Sequence, residues 1–170
     1  MATLVLVRHA QAAVGGADVD RVLTPGGLRD ATALGVRLGS LGLVPGAAFV
    51  SPARRAQQTW EHACAGLHQA GVSMGPPVID ERIYENTAQS LLAVAQDVPA
   101  EHEIVALVGH NPSIERLARL LADDAADPAA AAGLMDGMAT SGVAVFTVVG
   151  PIAAVTPVAA TLTAFFVVRG

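Results

Sequence analysis

Short runs with no polar face alternate with amphipathic stripes along most of the chain. Thr3–Val7, Ala47–Val50, Pro77–Ile79 and Ile104–Val108 are almost wholly apolar, which predicts strands buried on both faces of a mostly parallel sheet. Between them, Leu28, Ala31, Leu34, Leu38 and Leu41 recur at i, i+3 and i+4 spacing. So do Ala56, Trp60, Cys64 and Leu67, and later Ile114, Leu117, Leu120 and Leu121. Each stripe predicts a helix with one face on the sheet. Thr24-Pro25, Ser51-Pro52 and Asn111-Pro112 precede these stripes, each offering a side-chain oxygen as N-cap and a proline at the first helical position. Glu115 and Arg119 are spaced to pair on the outer face. A weaker helix is expected from Thr87 to Gln96.

The last third reads differently. No charge lies between Asp136 and Arg169, a length that admits a membrane span. Gly142, Gly150-Pro151 and Pro157 divide it, however, into two β-branched runs, Val143–Val149 and Ala160–Val168. Two strands with a proline-containing connection are the better reading. Asp123–Gly142 is Ala-rich with few large apolar groups, and reads as a mobile loop or a loosely packed helix. No repeat, linker or composition break divides the chain, so residues 1–170 are expected to form one three-layer α/β/α domain.

With 170 residues and 52% hydrophobic composition, a sizeable core is available. A net charge of -5 argues against nucleic acid and anionic membranes as partners. One cysteine, Cys64, excludes an internal disulfide and fits a reducing compartment; its place in a helical stripe marks it as packing. The short N-terminal apolar run has no basic segment before it, so it is not read as a secretory signal, and a cytoplasmic location is expected.

Chemistry enters at the strand ends. Arg8-His9 closes the first apolar run and Gly109-His110-Asn111-Pro112 closes the fourth, while Ser51 ends a third strand with Arg55 one turn into the following helix. In an open α/β sheet, ligands bind beyond the carboxyl ends of the strands. An imidazole can attack phosphorus and a guanidinium can grip phosphoryl oxygens, so these residues point to a phosphoryl group. Arg21 reads either as a further site residue or as a partner of Asp18 or Asp20. Arg54, His62, His68 and His102 read as surface groups without partners at metal-ligand spacing. Two arginines beside His9 and His110 would repel a cation, and no metal or other cofactor is expected.

Five segments carry a resemblance to a known family: Leu6–Ala10, Asp20–Gly27, Ser51–Thr59, Asp80–Tyr84 and Val108–Pro112. In order and spacing they are similar to the histidine phosphatase superfamily of phosphoglycerate mutase-like fold, most of all to its small SixA-type phosphohistidine phosphatases. The resemblance implies that His9 is the nucleophile and forms a phosphohistidine, and that Arg8, Arg55 and His110 bind phosphate. It also implies that Glu81 protonates the leaving group. Ala10 departs from the Gly of larger members.

About twenty residues separate Glu81 from Ile104, so the cap over the site is expected to be minimal. A shallow pocket suits a phosphohistidine presented by a protein better than a small metabolite. The leading expectation is therefore a metal-independent phosphatase acting on a phosphorylated protein. A phosphatase for a small phosphate ester and a non-catalytic phosphohistidine-binding module stay open beside it. A mutase fits less well, because it needs a site that excludes water.

Overall fold

The computed structural model describes residues 1–170. Six strands form one sheet: β1 (Ala2–Arg8), β2 (Ala47–Val50), β3 (Val78–Ile79), β4 (Ile104–Gly109), β5 (Gly142–Val148) and β6 (Ala160–Val167). Their order across the sheet is β3-β2-β4-β1-β5-β6. β1 to β4 are mutually parallel, whereas β5 runs antiparallel to β1 and β6 antiparallel to β5. The sheet is thus mostly parallel with an antiparallel hairpin at one side.

The apolar strands divide their side chains between two cores, as a period-2 element must. Leu4, Leu6, Val105 and Leu107 pack on one face, beneath α3 (Ala88–Gln96), α4 (Ser113–Leu121) and α5 (Pro128–Met135). Val5, Val7, Ala106 and Val108 pack on the other, beneath α1 (Pro25–Ser40) and α2 (Arg54–Gln69). This is the three-layer α/β/α arrangement expected from the pattern of runs and stripes. None of the helices is long and apolar enough to cross a membrane.

Three local expectations needed correction. Thr24 caps α1 through Gly27 N as anticipated, but α2 begins only at Arg54. The Ser51 hydroxyl instead accepts from Ala53 N and bonds the His110 ring. α4 begins at Ser113; Asn111 donates through Nδ2 to Glu115 and to the Met138 carbonyl, and its Oδ1 caps nothing. In both places a polar side chain that could have capped a helix is used to build the region around the strand ends. The Ala-rich segment holds a helix, α5, capped by Asp127, and its packing is close rather than loose. A Cβ at Gly133 would meet the Phe165 ring at 2.7 Å: small residues let this helix lie flat on β6.

Candidate active site

Register explains why residues a hundred positions apart meet. Arg8 is the register partner of Gly109 across the parallel β1–β4 pair, and His9 N donates to the Gly109 carbonyl at 2.9 Å. His9 and His110 are therefore the next residues off two neighbouring strand tips, with ring centroids 5.1 Å apart. β2 lies on the other side of β4, with Ser51 N bonded to the Val108 carbonyl, so α2 starts beside the same tips and brings Arg55 to them. Arg8, His9, Arg55 and His110 line one cavity of about 420 Å³, together with Gln11, Ala12, Asp18, Arg21, Asn86, Asn111 and Thr140.

Each side chain is held by neighbours that fix its chemistry. His9 Nδ1 lies 2.7 Å from the Ala10 carbonyl. A carbonyl can only accept, so Nδ1 carries the proton and Nε2 keeps its lone pair. Burial lowers the His9 pKa to about 4; the Ala10 bond opposes it, and Arg55 and Arg8 add smaller lowering effects. The ring is neutral near pH 7. His110 Nε2 bonds Ser51 Oγ at 2.7 Å. The same hydroxyl accepts from Ala53 N, so it fixes the His110 ring from the start of the segment that leads into α2. Burial, with His9 next, holds His110 down to about 3.

Arg8 Nη1 donates to the Met138 carbonyl at 2.7 Å. Burial draws this guanidinium below its usual value, partly offset by Glu115. Arg55, with 8% of its side chain exposed, is ion-paired to Asp18 at 3.0 Å and also donates to the Asp18 backbone carbonyl. Arg21 Nε donates to the Ala13 carbonyl, and its Nη1 reaches Asp18 Oδ1 at 3.4 Å. It thus fulfils both readings, lining the cavity while pairing with Asp18. Two nitrogens of the site, Arg8 Nε and His110 Nδ1, are buried without a protein hydrogen-bond partner.

Glu81 is not brought to this group. It starts a short 3₁₀ turn, Glu81–Ile83, is exposed and does not line the cavity. The residues around it serve other purposes: Asp80 caps the turn and pairs with Arg82, and Tyr84 donates to Asp18 Oδ2 at 2.9 Å. Asp18 and Asn86 line the cavity without having been singled out as site residues. Asp18 carried a signal, standing three residues before Arg21. Asn86 carried little. It takes a left-handed backbone (φ 60°) and bridges Asn111 O and Ser113 N, a role visible only once the strands are aligned.

The histidine phosphatase superfamily (branch 1) family model matches residues 4–103. The chain belongs to this superfamily. An uncharacterised protein of Mycobacterium tuberculosis is 34% identical over 166 residues, which is 96% of this chain and all of that protein. Among solved structures, a putative phosphohistidine phosphatase SixA from Nakamurella multipartitia is 32% identical, with a TM-score of 0.78 over 97% of this chain and 95% of that one. Another, from Agrobacterium tumefaciens, is 26% identical, with a TM-score of 0.72 over 97% of each chain. The chain is accordingly a hydrolase of the histidine phosphatase type, and His110 lies just beyond the segment that the family model matches.

Proposed function

We propose that this protein hydrolyses phosphohistidine on a partner protein, without a metal, through a phosphorylated His9. The observation that carries the reading is the His9 ring itself. Its Nδ1–H is tied to the Ala10 carbonyl, which leaves a neutral, unbonded Nε2 in a cavity shared with Arg8, Arg55 and His110. Phosphoryl transfer needs positioning and charge neutralisation more than covalent assistance. Arg8 and Arg55 supply guanidinium donors, and the buried Arg8 Nε lacks the acceptor that a phosphoryl oxygen provides. Nε2 attacks phosphorus in line, the leaving group departs toward solvent, and water then hydrolyses phospho-His9. No cluster of three or more His, Cys, Asp or Glu side chains is arranged to hold a metal, and three arginines line the cavity.

The acid assigned to Glu81 has no geometric support, since that side chain does not line the cavity. An ester needs a proton on its leaving oxygen, whereas a phosphoimidazole leaves readily when its ring is protonated. This favours a P–N substrate, as does the likeness to SixA-type structures. The test is turnover of an aryl phosphate and of a phosphohistidine protein in the presence of chelator, by wild type and His9→Ala. The expected result is metal-independent turnover that vanishes in the variant, a trapped phosphoenzyme, and kcat/KM favouring phosphohistidine over sugar phosphates. Equal kcat/KM for small sugar phosphates would remove the protein substrate from the reading. Phosphate binding without turnover would make the protein a binding module.

A further inference from the structure

Asp18 is the one carboxylate that lines the cavity, an unexpected group in a pocket for an anion. Its place is the mouth. His110 and Arg55 are buried at the floor, whereas 55% of the Asp18 side chain is exposed. A nucleophile at the floor attacking in line sends the leaving group outward, past Asp18 and Tyr84. The two carboxylate oxygens are not equivalent. Oδ2 accepts from Arg55 Nη2 at 3.0 Å and from Tyr84 Oη at 2.9 Å, while Oδ1 has only Arg21 Nη1 at 3.4 Å. That contact is longer than an ordinary N–H···O bond, so Oδ1 retains acceptor capacity. Tyr84 and Arg55 also hold the carboxyl below the usual carboxylate range, so it is ionised at neutral pH.

We propose that Asp18 recognises the leaving group: Oδ1 accepts a hydrogen bond from the distal ring N–H of a protonated phosphoimidazole, selecting P–N substrates over phosphate esters. The proposal rests on the phosphatase reading above and names the residue that sets its substrate class. The step balances without an added acid. The His9 Nε2–P bond forms as the substrate's P–N bond breaks, and the electron pair of that bond returns to the departing ring nitrogen. The proton on the distal nitrogen stays there, so a neutral imidazole leaves. An ester would instead develop negative charge on oxygen beside an ionised carboxylate that has no proton to give. Tyr84 and Arg55 anchor Oδ2, keeping Oδ1 aimed at the departing ring.

The test compares kcat/KM for phosphoimidazole and 4-nitrophenyl phosphate in wild type, Asp18→Asn, Tyr84→Phe and His9→Ala, with the Kd of inorganic phosphate for each. A charge-assisted hydrogen bond lost in Asp18→Asn should lower the ratio of the two kcat/KM values about tenfold. Aryl phosphate turnover should rise and phosphate should bind at least as tightly, because a negative charge has left the mouth. Tyr84→Phe should lower the ratio by a smaller factor. An unchanged ratio in Asp18→Asn overturns the proposal. So does an equal fall for both substrates with weaker phosphate binding, which would mean that Asp18 only holds Arg55 in place. The underlying phosphatase reading fails by a different sign, turnover that survives in His9→Ala, and a wild type inactive on both substrates overturns both.

Discussion

The Nδ1–H of His9 has the Ala10 carbonyl as its acceptor at 2.7 Å, and the ring is buried beside two guanidiniums that make a positive charge on it costly. Its Nε2 should therefore stay nucleophilic well below pH 6.5. The acid limb of kcat/KM, corrected for the ionisation of the substrate, is expected below pH 5; a limb near 6.5 would mean that the ring titrates as if exposed. Ser51 does for His110 what Ala10 does for His9, through a buried hydroxyl 2.7 Å from Nε2. Ser51→Ala leaves that nitrogen without a partner and frees the second ring to turn. A stability loss of about 1–3 kcal/mol follows from an unsatisfied buried polar group, readable by urea unfolding, together with weaker binding of inorganic phosphate.

At the level of elements, the site depends on how closely α1 and α2 approach. A Cβ at Gly35 would lie 1.8 Å from the Ala63 carbonyl oxygen, and one at Gly66 would lie 2.1 Å from that of Thr32; these contacts leave no room for a methyl. Gly66→Ala must push the helices apart, costing about 1–3 kcal/mol by the overpacking rule. Because α2 carries Arg55, and Thr59 on the same helix accepts from Ala10 N, phosphate affinity should fall along with Tm. A change in Tm alone would show that the site is insulated from this packing. On the opposite face, Glu115 of α4 accepts from Met138 N and Asn111 Nδ2, and the Met138 carbonyl in turn holds Arg8. Glu115→Gln turns one acceptor oxygen into a donor group. It is expected to raise the Kd for inorganic phosphate severalfold while His9 stays reactive, with kcat less affected than KM.

For the molecule as a whole, the two buried histidines make stability depend on pH. Folded His9 and His110 titrate near 4 and 3, each against an ordinary value of 6.5. As pH falls below 6.5 the unfolded chain takes up protons that the folded one refuses, so stability present above that value is lost through the window down to about pH 4 for His9 and about pH 3 for His110. Asp18, Asp80 and Glu115, held below their usual values, add a loss of the same sign in the carboxylate range. In anion-free buffer, Tm should drop between pH 7 and 4.5, and His9→Gln should flatten that slope. A Tm constant across the range would contradict it. The strands, the helices and the meeting of Arg8, His9, Arg55 and His110 were legible in the sequence. Period and strand-end position are local properties, and parallel pairing carries strand ends to one edge. The hairpin runs were legible too, to within a residue of the observed β5 and β6. Which side chains served as caps was not, because Ser51 and Asn111 engage His110 and Met138, residues far away in sequence. Sequence alone thus determined the layers of the fold and the residues at the strand tips, since hydrophobic period is written along the chain. Tertiary structure alone decided the tautomer of His9, the exclusion of Glu81 from the cavity and the entry of Asp18, because hydrogen-bond partners and cavity walls exist only once distant segments share one space.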